Sequence, residues 1–352
     1  MMSQKVVAAQ AAGDRSCVAK SIIREGGPVR VLVAGATGVV GIPTVHALLA
    51  AGHEVQAIAR KPASLAELRE RGVAVAAADA LDGPSVRRAF EALRPEAVVH
   101  QLTALPASIR PRKLAIDLAP TNRLRTEGTR NLLAAARAIG ATRFVAQSIA
   151  FICAPRASAG STVDGAASEL ATELEPLHRD PRDAGFSAMV AAVAELEREV
   201  SAFGGVVLRY GLFYGPGTVF DDGGSFTDAL RKRRMPVVGA GGGGFSFVHV
   251  HDAASAAVAA LATDRSGIYN VVDDDPAPAR EVLPALAEIL GAKRPWHVPT
   301  WIGRLGAGRY GVFMMTRMRA VSNAKAKAEL GWTPAIGSWR DGMRDWRTRS
   351  PA

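Results

Sequence analysis

Seven consecutive residues carry the strongest chemical signal in this chain: Gly35-Ala36-Thr37-Gly38-Val39-Val40-Gly41. A glycine at the start permits a sharp turn out of a strand. The second lets backbone amides approach a phosphate, and the third lets the next helix pack closely on that strand. The helix N-terminus offers unpaired N–H groups and a positive dipole end, so the segment predicts a bound dinucleotide pyrophosphate rather than a plain glycine turn. After the next apolar strand come Arg60 and Lys61, with no carboxylate before Glu67. A carboxylate there would accept from a ribose 2′-hydroxyl, whereas a cation accommodates a 2′-phosphate. NADP(H) is therefore the expected cofactor, with NAD as the alternative. Asp79 ends the third strand, where two readings stay open: a bond to the adenine edge or its neighbouring backbone, or a turn into Leu81-Asp82-Gly83.

The groups that could move a proton are less ordered. Ser148 closes the fifth strand and can bond a carbonyl or hydroxyl oxygen, or serve only as a turn residue. His178, Asp180, Asp183 and Tyr214 are candidate donors, the first three in a charged segment where solvation is the plainer reading, and Tyr214 equally a packing residue. His249 and His251 alternate along an expected strand, so only one can face inward. Two histidines without a third ligand make a poor metal site, and no metal is implied. Cys17 and Cys153 are the only cysteines, which argues against a disulfide framework or a cysteine metal site and fits a reducing compartment.

These groups need a scaffold, and from Val29 the sequence alternates strand and helix, the sign of a parallel sheet covered on both faces. Strands are expected at Val29–Ala34, Val55–Ala59, Val73–Ala78, Ala97–Gln101, Arg143–Gln147 and Val206–Leu208. Helices are expected at Val39–Ala50, Ser85–Leu93, Thr121–Ile139 and Phe186–Ala202. The polar, Pro-containing stretch Pro155–Gly185 interrupts the alternation and reads as a loop with a short helix or two. The fold class is α/β, a doubly wound Rossmann sheet with a smaller C-terminal lobe. In domain terms, residues 1–28 form an N-terminal extension, 29–210 with 245–272 the dinucleotide-binding body, and 211–244 with 273–352 a substrate-binding lobe. The glycine run Gly239–Gly244 reads as a flexible hinge, and Arg231-Lys232-Arg233-Arg234 as a solvated helix end or, alternatively, a contact for an acidic substrate group.

Bulk properties narrow the function classes. A chain of 352 residues with 48% hydrophobic content can bury a large core. It has no membrane-length apolar run or signal-peptide pattern, so the cytoplasm is the expected compartment, with no membrane partner. The net charge of +10 is concentrated at the ends: residues 293–352 hold twelve Lys/Arg against three Asp/Glu, while the centre is near neutral. The basic balance therefore says little about the site, and a nucleic-acid partner is not expected. The expected partner is a small-molecule substrate; a homodimer is left open.

Taken together the motifs resemble the extended short-chain dehydrogenase/reductases, the NAD-dependent epimerase/dehydratase family, from about Val29 to Gly342. The resemblance rests on Gly35–Gly41, on Val98-Val99-His100-Gln101-Leu102, and on Asn122 with Gly128-Thr129-Arg130-Asn131-Leu132-Leu133. Phe144–Ser148, Leu208–Gly217, Phe247–Ala253 and Lys325–Trp332 follow in the family order. It implies that Gln101 and Leu102 lie beneath the nicotinamide ribose, that Asn122 shapes the active-site backbone, and that Ser148 is the active-site serine. It also implies a Tyr with a Lys four residues later as the acid/base pair, and that pair is missing. The chain has no Tyr before Tyr210 and no Lys between Lys113 and Lys232. Alignment on Glu197 puts Met189 and Val193 at the two positions, and alignment on Glu195 puts Ser187 and Ala191 there. The expected activity is hydride transfer between NAD(P)H and a carbonyl or activated double bond of a small organic substrate. A catalytically silent NAD(P)-binding sensor and a nucleotide-sugar epimerase or dehydratase are the alternatives.

Overall fold

The computed structural model describes residues 27–155 and 170–349. The N-terminal extension, Cys17 and much of the stretch before Gly185 lie outside the described residues. Seven parallel strands form one sheet: β1 (Arg30–Ala34), β2 (Glu54–Ala59), β3 (Ala74–Ala77), β4 (Ala97–His100), β5 (Arg143–Ile149), β6 (Val206–Tyr210) and β7 (Gly267–Val271), in the order β7-β6-β5-β4-β1-β2-β3. The order reverses at β1 and β4, and in such sheets the crevice outside the carboxyl ends of those strands is where ligands bind. Successive strand residues point to opposite faces, so Val31, Val33, Val99 and Val145 build one core while Leu32, Val98, Phe144 and Ala146 build the other.

Helices cover both faces. The helices α1 (Gly41–Ala50) and α6 (Val250–Ala262) pack together on one side. On the other lie α2 (Gly83–Leu93), α3 (Leu114–Arg123), α4 (Thr129–Ala138) and α5 (Ala184–Phe203). A further core gathers Tyr214, Phe220, Leu230, Val237, Phe247, Leu283, Phe313 and Trp339, drawn from residues after β6 and from the C-terminal part of the chain. That part includes α7 (Thr300–Thr316) and α8 (Trp339–Arg349). Among the described residues no helix is long and apolar enough to cross a membrane.

Three local expectations change. The long helix does not begin at Thr121: it begins at Leu114, carries Pro120 inside, and passes through a π turn at Leu124–Gly128 before α4. Leu114 and Leu118 are buried, and Asp117 takes the backbone amide and guanidinium of Arg110, so tertiary contacts hold the extra turns. The segment around His249 is strand only to that residue; the His249 side chain accepts from the His251 amide and caps α6. The glycine run is a packed seam rather than a hinge. The amides of Gly243 and Gly244 donate to the carbonyls of Met315 and Met318 at 3.0 and 2.7 Å, and a Cβ on Gly243 would overlap the Met314 carbonyl oxygen. The basic cluster beside it is partly paired, Arg231 with Asp222 and Asp228, and Arg233 over the Trp296 ring.

The seam predicts that Gly243→Ala destabilises the protein by about 1–3 kcal/mol, the cost of forcing atoms into a filled site. Thermal denaturation of the variant checks this, because a true hinge glycine would tolerate the methyl group.

Candidate active site

The glycine turn stands at the switch point of the sheet. Gly35 has φ +98°, and a Cβ there would come within 2.8 Å of the Gln101 backbone, so the turn and the end of β4 touch where no side chain fits. A Cβ on Gly41 would overlap the Gly35 carbonyl oxygen, which is the close helix approach expected of the third glycine. The Gly38 amide donates to the Gly35 carbonyl at 3.0 Å. Ala36 and Val40 face the core, while Thr37, Gly38 and Val39 are exposed. No side chain caps α1; the Ile42 and Thr44 amides donate to the Gly38 and Val40 carbonyls and Pro43 has no N–H, so the amides that can meet an anion are those of the turn just before, at Val39 and Val40. This cradle fits a dinucleotide pyrophosphate. From across the cleft, Gly217 approaches Val39, with 3.6 Å from its would-be Cβ to Val39 Cγ2. Arg60 and Lys61 are exposed just past the end of β2. Asp79 spends one carboxylate oxygen on the Leu81 amide at 3.0 Å, so the turn reading holds for that oxygen.

The floor of the cleft is fixed by a histidine that sequence reasoning passed over as part of a strand. His100 Nδ1 accepts from the Leu102 amide at 3.2 Å, so its Nε2 carries the proton and faces Thr129 Oγ1 at 3.0 Å. Burial, then the nearby Arg125 charge, hold the His100 ring down at about 4, and the ring stays neutral in this role. Gln101 is buried, with Nε2 3.4 Å from the Tyr210 hydroxyl, and Leu102 is half-buried beside Gly35. Asn122, on α3, keeps its side-chain oxygen buried without a hydrogen-bond partner.

Ser148 lies elsewhere in the hydrogen-bond pattern than expected. Its side chain follows Phe144 and Ala146 onto the face covered by α5 and donates to Glu197 Oε1 at 2.7 Å. The same carboxylate takes two bonds from Arg209, at 2.8 and 2.7 Å, and all three residues are buried. Burial works against the Arg209 charge, and the Glu197 bonds outweigh it, holding the guanidinium above its ordinary value. The serine hydroxyl is thus engaged in a buried ion pair, not open to a reacting oxygen. Tyr214 is enclosed as well: it is 1% exposed, its hydroxyl has no hydrogen-bond partner, and a Cβ on Gly342 would lie 2.6 Å from that oxygen. Burial, then Asp273, raises its pKa further, so it is a packing residue without access to a ligand as it stands.

The other candidate donors have structural employment. Asp183 caps α5 by accepting from the Phe186 amide at 3.0 Å. Asp180 pairs with Arg309, and His178 is half-buried and stacks on Phe313 at 4.6 Å between ring centres. The choice between alignments closes on one side. Glu197 is the buried, sheet-facing glutamate, whereas Glu195 pairs with Arg130 near the surface. Met189 and Val193 are accordingly buried on the inner face of α5, while Ser187 bonds the Asp180 carbonyl and Ala191 is exposed. No Tyr or Lys stands on that face.

Comparison with known proteins agrees with this architecture. Residues 31–272 match the model of the NAD dependent epimerase/dehydratase family. A 3-diazoavenalumate denitrifying reductase from Streptomyces sp is 46% identical over 321 residues, covering 90% of this chain and 99% of that protein. Among solved structures, the UDP-glucose 4-epimerase of Thermus thermophilus in complex with NAD is 27% identical. It superposes with a TM-score of 0.68 over 91% of this chain and 100% of that one. A dTDP-glucose 4,6-dehydratase from Streptomyces venezuelae with NAD bound, 22% identical, also superposes at 0.68 over 91% and 97%, a likeness of fold.

The buried pair generates a stability prediction. Glu197→Gln leaves Arg209 charged and uncompensated in the interior and should cost about 3–5 kcal/mol, whereas Glu197→Leu with Arg209→Met should recover most of that loss. Denaturant unfolding of the single and double variants measures both.

Proposed function

The chain belongs to the NAD dependent epimerase/dehydratase family and its cofactor is a nicotinamide dinucleotide; on that premise we propose that it is an NADPH-dependent reductase that replaces an aromatic diazonium group by hydrogen. The observation that carries this reading is the apolar face of α5, with Met189 and Val193 where the family resemblance calls for Tyr and Lys. Reduction of a carbonyl needs a proton as well as a hydride, and losing the general acid costs roughly two to four orders of magnitude. Displacement of dinitrogen needs none. A C–H bond forms from the hydride, the C–N bond breaks with its electron pair leaving on dinitrogen, and the cation is neutralised without a proton. The relative named as a denitrifying reductase of a diazo compound, 46% identical, supports the same chemistry.

Bound NADPH supplies the hydride. The chain's own residues hold and orient it. The amides of Val39 and Val40 would take the pyrophosphate over the Gly35–Gly38 turn, Arg60 and Lys61 the 2′-phosphate, and Asp79 would keep one oxygen for the adenine edge. Gln101, Leu102 and Asn122 would line the nicotinamide end, on a floor held rigid by His100. Residues 211–244 and 273–352 would form the substrate lobe over it. In this reading Ser148 acts only through Glu197 as a positioning residue, and Tyr214 has no part in proton transfer. A carbonyl or enone reductase and a silent NADP-binding sensor remain as the rivals, the second motivated by the same missing pair.

Two outcomes test the reading. Arg60→Ala should weaken NADPH binding at least about tenfold while leaving NADH binding nearly unchanged, as measured by fluorescence titration; equal losses for both would assign NAD instead. With purified protein, NADPH oxidation should accompany stoichiometric dinitrogen release from an aryl diazonium compound and exceed the rates with a carbonyl, an enone or a nucleotide sugar. Turnover of one of those without diazonium turnover would overturn the proposal, and binding without any turnover would favour the sensor.

A further inference from the structure

One buried cation beside the cleft has no assigned work. Arg125 lies in the π turn Leu124–Gly128, is 6% exposed, and its Nη1 is buried without a hydrogen-bond partner. Burial draws its guanidinium down to about 10, and Glu197, a carboxylate that acts on it, is bonded to Arg209 and Ser148. Its height in the fold follows from two anchors. Thr129 meets His100 at the end of β4, and Glu197 meets Ser148 near the end of β5. Arg125 precedes Thr129 by four residues, as Val193 precedes Glu197 by four. The helix pair carrying them runs from the C-terminal edge of the sheet towards its other end. Both residues therefore stand about one turn beyond the strand ends, at the level of the cleft. A π turn is a frequent device for re-aiming side chains at functional sites, and here it occurs where Arg125 turns inward.

A second polar group comes from α7. Tyr310 packs its ring 5.5 Å from Phe186 in the first turn of α5 and acts electrostatically on Arg125. Burial raises its hydroxyl to about 12 even though Arg125 pulls the other way, so it is a hydrogen-bond donor at neutral pH. A buried guanidinium with a free N–H and, among the described residues, no bonded carboxylate lacks the anion that would compensate it.

We propose that Arg125, aided by the Tyr310 hydroxyl, forms a subsite for an anionic oxygen of the substrate, a carboxylate or a phenolate carried on the same aromatic molecule. The proposal rests on the cofactor reading above only for the location of the reacting end. The anion would complete the charge pair, exclude water from the cleft, and orient the ring against the bound dinucleotide. This gives Arg125 a role in specificity that neither Lys nor Gln reproduces, because the guanidinium offers parallel N–H donors in a plane.

Equilibrium binding to the NADP-loaded protein tests this without turnover. The probes are cinnamate against cinnamyl alcohol, and 4-nitrophenolate against nitrobenzene. At least one anion should bind about tenfold or more tightly than its neutral partner, and the pair that differs identifies the oxygen. Arg125→Gln should reduce the preference to within about twofold, Arg125→Lys should keep part of it, and Tyr310→Phe should weaken it. NADP affinity should stay within about threefold of the parent in all of them. The unliganded Arg125→Gln protein should melt at the same or a higher temperature, since an uncompensated buried charge has been removed. Absence of any anion preference in the parent, or a preference that survives Arg125→Gln, overturns the subsite. Loss of NADP affinity with the preference intact does so too, by assigning Arg125 to the cofactor. A protein that keeps the preference but never releases dinitrogen leaves the subsite standing and removes the diazonium reading.

Discussion

The buried contact among Ser148, Glu197 and Arg209 is the interaction on which the active-site reading depends. It ties the last turns of α5 to the ends of β5 and β6 and so fixes how that helix is rotated about its axis. With Glu197 pointing at the sheet, residues one and two turns earlier lie on the inner face of the helix, and these are Val193 and Met189, buried with Leu114 and Phe186. Breaking a buried pair of this kind is costly, so the rotation is not free to relax towards a more polar face. An apolar helix face at the reacting end follows directly from an ion pair below it.

A cleft built in this way can position and desolvate but, among the described residues and apart from the Tyr310 hydroxyl assigned to the substrate anion, has little with which to exchange protons. The backbone at Gly35–Gly41 meets the end of β4 at the switch point of the sheet, and neutral His100 holds the turn at Gln101 and Leu102 from below. The polar groups that do face the region, Asn122 and Arg125, have buried atoms still without partners. In a folded chain such atoms are expected to be satisfied by something, and a ligand is the economical answer. The geometry therefore favours a reaction in which orientation and a hydride suffice.

Much of this was legible in the residues and some was not. The strand and helix alternation and the glycine turn are local patterns, and the structure contains them within a residue or two of where the periodicity ends, except for the start of the long helix at Leu114 and for β7, which the pattern does not mark. The missing pair was equally legible, since it needs only the absence of Tyr and Lys from one helix. Contacts between distant segments were not. Nothing near Gly243 announces that Met314 and Met315, about seventy residues on, will press against it, so a seam reads as a hinge. Ser148 looks like a free hydroxyl until Glu197 and Arg209 are brought to it, and His251 looks like a strand residue until the His249 ring caps α6. The helix is expected only from Thr121, after Pro120, because interior proline is disfavoured, yet buried leucines and the Asp117–Arg110 pair carry it through that proline.

The central claim is that the substrate receives a hydride and no solvent proton. Single turnover in deuterated water with unlabelled NADPH and an aryl diazonium compound, read by mass spectrometry of the product, tests it directly. The account predicts a product with ordinary hydrogen at the former C–N position and a rate nearly the same as in ordinary water. Deuterium at that carbon, or a rate several-fold slower in the deuterated solvent, would contradict it.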